Sequence, residues 1–206
     1  PLKVVITNME DELLTLTSAR HPNLPELGSR EIPFTRDIVI DAADFSEDPP
    51  KGFKRLVLGG EVRLRHSYVI RCDEVVKNAT GEIVELRCSA DLNTLGKNPE
   101  GRKVKGVIQW VSASKGVTAE VRLYDRLFTL PNPESSDNLL DSLNPDAFKI
   151  VQAWVEPSLA DVQPEDRFQF EREGYFVADL KDCVGGKLVF NKTVSLRDSW
   201  GVKAGE

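Results

Sequence analysis

The sequence is short of the residues that most catalytic sites use. It has two histidines, His21 and His66, and three cysteines, Cys72, Cys88 and Cys183, with no CxxC pair. A zinc centre needs sulfur and imidazole ligands at close spacing, and this inventory does not supply them. A serine–histidine–acid set is equally unsupported, because His21 lies in HPN and His66 in RHS, which read as loop and strand. Neither GxGxxG nor GxxxxGK[ST] occurs, so no glycine-rich loop can cradle a phosphate. Carboxylates are plentiful but scattered through loops such as SEDPP and PEDR. No segment reads as a signal peptide, and no apolar run approaches the roughly 18 residues of a membrane span. The odd, scattered cysteines read as reduced thiols of a cytoplasmic protein with no metal site of its own and no membrane partner.

A surplus of positive charge is also lacking. Lysine and arginine number 27 against 33 aspartates and glutamates, a formal net charge of -6. Indiscriminate nucleic-acid binders gain affinity by releasing counterions from many phosphates, which needs a basic surface. DNA is therefore not an expected partner, and any RNA contact must come from cations placed locally on an anionic chain.

Helical patterning is scarce too. The one convincing helix signal lies in residues 131–145, PNPESSDNLLDSLNP, where Ser135 or Ser136 can cap, Leu139, Leu140 and Leu143 form a face, and Pro145 stops the run, while DAADF (41–45) can make a single helical turn. What fills the chain instead is strand. Residues 2–6, 13–17, 34–40, 62–77, 82–89, 104–112, 117–130, 148–157, 166–180 and 187–198 are short, mostly alternating segments between turns. Residues 21–30, HPNLPELGSR, read as a loop packed by Leu24 and Leu27. With 40% hydrophobic residues a core can form, and the pattern predicts an all-β fold of antiparallel β-barrels with one short helix between strands.

The two halves repeat. VRLRHSYV (62–69) resembles QFEREGYF (169–176), placing Arg65 opposite Arg172 and Tyr68 opposite Tyr175. Each is followed by a glycine-containing turn and a return strand, IVELRCS or LVFNKTVS. Upstream, IVIDAADF (38–45) matches VRLYDRLF (121–128), and KVVI matches GVIQ. The same order of matches in both halves predicts a duplicated barrel, with residues 1–104 and 105–206 as nominal domains.

The stretch with chemistry is residues 54–69, KRLVLGGEVRLRHSYV. It joins Lys54 and Arg55 to a strand on which Val62 and Leu64 alternate with Arg63 and Arg65. Side chains two apart on a strand share a face, so the two guanidinium forks are expected about 7 Å apart on one side. Taken alone, this is either a solvated strand face or a surface for phosphates and base edges. Lys103 and Lys105 likewise are either solvated or set against an RNA backbone. Trp110, Trp154 and Trp200 read as packing residues, as do Tyr68 and Tyr175, and Arg122 and Arg126 read as partners of nearby acids.

The blocks KRLVLGGEVRLRHSYVI, GRKVKGVIQWVSA, EVRLYDRLFTLPNP, FQFEREGYF and VFNKTVSLRDSW resemble the C-terminal anticodon-binding region of bacterial-type glutaminyl-tRNA synthetases, a likeness that spans essentially the whole chain. The resemblance implies two tandem barrels related to a ribosomal protein that binds 5S RNA, with strands near the start exchanged between barrels. It implies a glutamine tRNA as partner and a monomer. It also places a catalytic domain, with its ATP and Mg²⁺, ahead of Pro1, so that this piece would bind tRNA without aminoacylating it. By the same resemblance, Lys54 and Arg55 read the third anticodon base, a guanine. Arg63 and Arg65 lie around the first base and its phosphate, and Gln169 and Arg172 meet the middle uridine. Two positions depart from the family pattern, Gly52 for a glutamine and Gln109 for a histidine. A eukaryotic-type glutamyl-tRNA synthetase shares the architecture, and a stand-alone barrel that binds ribosomal RNA would fit the strand pattern.

Overall fold

The computed structural model describes residues 1–10, 13–135 and 138–196. Fourteen strands are present among them: β1 (Leu2–Ile6), β2 (Leu14–Ala19), β3 (Ser29–Phe34), β4 (Asp37–Ile40), β5 (Glu61–Leu64), β6 (Val69–Lys77), β7 (Ile83–Asp91), β8 (Val107–Ile108), β9 (Trp110–Ser112), β10 (Val117–Tyr124), β11 (Phe148–Val155), β12 (Arg167–Phe170), β13 (Gly174–Ala178) and β14 (Val189–Val194). The chain forms two compact units: Pro1–Val117 with Trp154–Leu159, and Thr118–Ala153 with Ala160 onward.

In the first unit seven strands run in the order β8-β5-β6-β7-β1-β4-β9. Its two end strands are consecutive in the chain, separated only by Gln109, so one short segment pairs with both β5 and β4 and nearly closes the sheet into a barrel. Alternation decides what goes inside. Leu2, Val4 and Ile6 of β1, Ile38 and Ile40 of β4, Val62 and Leu64 of β5, and Leu86 and Cys88 of β7 are buried in one apolar cluster. Phe34 sits at its centre, edge-on to Trp110 at 4.8 Å and to Tyr68 at 5.5 Å between ring centroids. Trp110 is buried, and its indole N–H donates to the Arg65 carbonyl at 2.9 Å. Cys72 and Cys88 face each other across β6 and β7, and the hydrogen bond between them together with burial pushes the Cys88 thiol well above its ordinary value. A separate hairpin, β2 with β3, completes the unit.

In the second unit five strands run β11-β10-β14-β13-β12. Read from the β12 edge, this is β12-β13-β14-β10-β11, the same succession as β5-β6-β7-β1-β4 of the first sheet. The strand directions agree as well: β6 with β7 and β13 with β14 are antiparallel, and β7 with β1 and β14 with β10 are parallel. The duplication predicted from residues 62–69 and 169–176 thus holds in the hydrogen-bond ladder. The upstream match does not. The ladder makes β4 equivalent to β11, so residues 38–45 do not correspond to 121–128, whose strand is β10. Short alternating strands resemble one another, and only pairing order separates them.

Other differences have local causes. Residues 62–77 form a hairpin rather than one strand, because Ser67 N–H donates to Leu64 O at 2.9 Å and His66 takes a left-handed φ of 59°. Residues 34–40 split between β3 and β4, and Leu24 and Leu27 are exposed rather than packed. In place of an α-helix, residues 131–145 hold two 3-10 turns, Pro133–Ser135 and Leu139–Ser142. The second is capped by Asn138, whose side-chain oxygen accepts from Leu140 N–H, and Leu139, Leu140 and Leu143 remain exposed. Ser136 lies outside the described residues. Tyr68 is buried but Tyr175 is 47% exposed, so the two tyrosines do not share a packing role. Trp154 is only partly covered at 36% exposure, and Trp200 lies outside the described residues. Arg122 pairs with Glu120, Asp179 and Asp182, and Arg126 with Asp125. No helix among the described residues is long and apolar enough to cross a membrane.

Candidate nucleic-acid interface

Lys54 and Arg55 end up in a recess of the first unit. The chain reaches them through a turn at residues 51–53 in which Gly52 has φ 85°, a left-handed conformation that strains a side-chain-bearing residue such as glutamine and not glycine. Arg55 is then fixed: its Nη1 donates to Ala43 O at 2.9 Å and lies 3.2 Å from the buried carboxylate of Asp44. Gly59 N–H donates to Cys72 O at 2.7 Å, tying the following turn to β6. The opposite wall is residues 103–106. Gly106 must lack a Cβ here, because one would sit 2.1 Å from the Lys54 carbonyl oxygen. Between the walls lies an open cavity of about 550 Å³, lined by Phe53, Lys54, Arg55, Arg71, Lys103 and Lys105, with Glu61 the acidic residue of the lining.

Glu61 is itself answered. Arg102 donates from Nε to both Glu61 carboxylate oxygens at 2.9 and 3.1 Å, and from Nη2 to Asp91 at 2.6 Å. Arg102 holds the Asp91 carboxyl below the usual carboxylate range, and the two acids raise the arginine in return. The clamp lays residues 102–106 beside β5, where Arg63 N–H donates to Gly106 O at 2.9 Å.

β5 ends at Leu64, so Arg63 lies on the strand and Arg65 in the turn that follows it. Arg63 stands on β5, and its guanidinium donates to three carbonyls: Ser67 at 2.9 Å, Thr94 at 3.0 Å and Lys97 at 2.6 Å. Carbonyls orient a cation without cancelling its charge, so Arg63 remains a positive group while shaping a second cavity of about 230 Å³ with His66, Ser67, Lys97 and Asn98. Arg65 lies in the hairpin turn, half-buried, with its backbone N–H donating to Ile108 O at 3.0 Å and its carbonyl accepting from Trp110. Both arginines therefore sit on the hairpin that the closing segment grips. Gln109 lies in that segment; its side-chain oxygen is buried and has no hydrogen-bond partner among the described residues.

Gln169 and Arg172 occupy the equivalent hairpin of the second unit, between β12 and β13. Phe168 and Phe170 turn inward to pack on Phe190 and Phe176, with Phe170 stacked on Phe176 at 4.3 Å. Strand alternation puts Gln169 on the outer face. Tyr175 is its direct cross-strand partner and shares that face, a placement that the repeat pattern alone did not predict. Arg172 takes φ 72° at the tip, and Gly174 leaves no room for a Cβ, which would fall 2.4 Å from the Val194 carbonyl oxygen. Lys54 and Arg55 are thus brought into one recess, Arg63 and Arg65 onto one hairpin of the same unit, and Gln169 and Arg172 onto the matching hairpin of the other. Among the described residues no cluster of three histidines, cysteines or carboxylates could hold a metal ion.

Two family models, each described as the anticodon-binding domain of class I tRNA synthetases (E and Q), match residues 1–91 and 107–179. The chain belongs to this anticodon-binding family. Among curated relatives of the anticodon-binding chain, it is 64% identical over 206 residues to the glutamine–tRNA ligase of Ectopseudomonas mendocina, covering 98% of this chain and 37% of that protein. To the glutamine–tRNA ligase of Stutzerimonas stutzeri it is 62% identical with the same coverage. To that of Azotobacter vinelandii it is 59% identical over 206 residues. The chain thus spans 37% of the length of each of these three curated relatives. The matched ranges leave out residues 92–106, which carry Arg102, Lys103 and Lys105.

Proposed function

We propose that the chain is the anticodon-reading, C-terminal part of a glutamine–tRNA ligase, with glutamine tRNA as its RNA partner. The observation that carries this reading is the repeated hairpin, which presents Arg63 and Arg65 in one unit and Gln169 and Arg172 in the other, on a chain 64% identical to such a ligase. Unpaired anticodon bases can be splayed into separate sites, the usual route to sequence-specific RNA recognition. Lys54 and Arg55 meet the third base, where an immobilised guanidinium fork suits the two acceptors of guanine. Arg63 and Arg65 serve the first base and its phosphate. Gln169, able to donate and accept, serves the middle uridine with Arg172, and Tyr175 offers a ring for it to lie against.

The nominal modules are residues 1–104 and 105–206, with the strands at 107–112 paired into the first sheet. Glutamine attachment, with its ATP and Mg²⁺, belongs to residues beyond this chain, in a cytoplasmic, monomeric ligase. Titrating the chain with an RNA hairpin carrying a glutamine anticodon, and with one whose middle uridine is changed, tests the reading. A preference for the first that Arg172→Ala abolishes is expected. Preference for a glutamate anticodon would favour the glutamyl-tRNA synthetase reading, and equal, salt-sensitive binding would leave a general RNA-binding barrel.

A further inference from the structure

We infer that Lys103 and Lys105, together with Arg71, form a phosphate seat beside Lys54 and Arg55, so that this recess holds a whole nucleotide of single-stranded RNA rather than a base edge alone. The inference rests on the anticodon-reading function proposed above and adds to it a division of labour within one site.

Size is the first support. A cavity of about 550 Å³ lies within the ~300–1,000 Å³ range of small-molecule sites and has room for a base with its sugar and phosphate. Charge is the second. The lining carries five cations and one carboxylate, Glu61, and that carboxylate is occupied by Arg102. Lys54, Lys103 and Lys105 make no ion pair with any carboxylate among the described residues, and Arg71 reaches only Asp73 at 3.7 Å on an exposed surface. On a chain of net charge -6, three such lysines converging on one cavity make a local positive field that an anion would complete.

The third support is how differently the cations are held. Arg55 is locked by Ala43 O and Asp44, which presents a planar fork in one orientation, as reading a base edge requires. Lys103 and Lys105 are exposed point charges on flexible stems, which suit the diffuse charge of a phosphate. Their backbone is nevertheless fixed: Arg102 clamps the segment at one end, and the close approach of Gly106 to the Lys54 carbonyl holds it at the other. Phe53 contributes a half-buried ring at the wall of the same cavity, against which a base can lie.

The test is binding of the chain to two RNA hairpins across a potassium chloride series, one with the glutamine anticodon and one with its third base changed, for the wild type and for Lys103→Gln/Lys105→Gln. The double variant is expected to weaken both hairpins by the same factor. Its dependence of log affinity on log salt should flatten by about 0.7, the contribution of the one single-strand phosphate that the variant no longer neutralises. The preference between hairpins and the thermal unfolding midpoint should stay as in the wild type. A salt slope equal to the wild type's, with the preference intact, would overturn the phosphate seat and leave anticodon reading standing. A slope that flattens although the wild type never preferred one hairpin would overturn anticodon reading and keep the seat. A wild type that binds neither hairpin at low salt would overturn both.

Discussion

The two sheets share a strand succession and differ in how they end. The first uses residues 107–112 to pair with β5 on one side and β4 on the other, which nearly closes it and encloses a core that includes Trp110, Phe34 and Tyr68. The second, among the described residues, stops at β11 and β12, and most of β11 is exposed, including Phe148, Ile150 and Val151. Its interior is a smaller aromatic group around Phe190, Phe176 and Phe170. Where the first unit gains from apolar enclosure, the second adds a polar knot. Arg122 bonds Glu120, Asp179 and Asp182, while Asn191 donates to Asp179 at 2.7 Å. One topology, then, supports two balances of apolar and charged stabilisation, depending on whether a spare strand is at hand to close it.

The contrast can be broken most sharply at the closing segment. Trp110→Ala removes a buried ring and its bond to Arg65 O, and should cost about 3–5 kcal/mol in denaturant unfolding. If Phe190→Ala in the open sheet cost more, closure would not be what distinguishes the first sheet. Gly106→Ala comes next, at about 3 kcal/mol, since its Cβ must push the Lys54 carbonyl away. RNA affinity should fall with it, and a variant that unfolds like the wild type would show that the two walls can part cheaply.

In the second unit, Asp179→Asn should cost about 2 kcal/mol, because the carboxylate accepts from Asn191, from the backbone N–H groups of Lys181 and Asp182, and from Arg122. Those bonds, led by Asn191, depress the Asp179 carboxyl to about 2 from its ordinary 3.8. A depressed carboxylate contributes stability that is present above the unfolded value, so the contribution holds above about pH 4 and is lost as pH falls toward 2. The variant's acid unfolding profile should therefore converge on the wild type's at the low end of that window; a constant offset down to pH 2 would remove Asp179 as its origin. The smallest effect is expected at Lys3 of β1, whose amino group, raised mainly by its bond to Asp37 and then Glu85, bridges β4 and β7 on an exposed face. Lys3→Ala should cost less than about 1 kcal/mol and less still in high salt. A larger loss would mean that charge matters to the closed sheet as much as to the open one.

The sequence alone determined the strand-dominated fold, the duplication through residues 62–69 and 169–176, and the set of cations and the glutamine proposed to meet RNA. Fold and duplication were legible because alternation and turn chemistry are local and the hairpins kept their residues at matching positions, whereas the residues proposed to meet RNA were legible through the resemblance to the anticodon-binding family. Tertiary structure decided the rest. Which half owns residues 107–112 depends on hydrogen bonds to β4 and β5 that no local pattern encodes. Residues 62–77 became a hairpin rather than one strand because His66 takes a left-handed conformation. Tyr68 went inward and Tyr175 outward, although both follow an arginine at the same distance. Lys103 and Lys105, ambiguous in sequence, met Lys54 and Arg55 because Gly106 has no side chain to hold the two backbones apart. Charge and periodicity travel along the chain, but a recess exists only where distant segments are brought face to face, and that is settled by long-range pairing and steric fit.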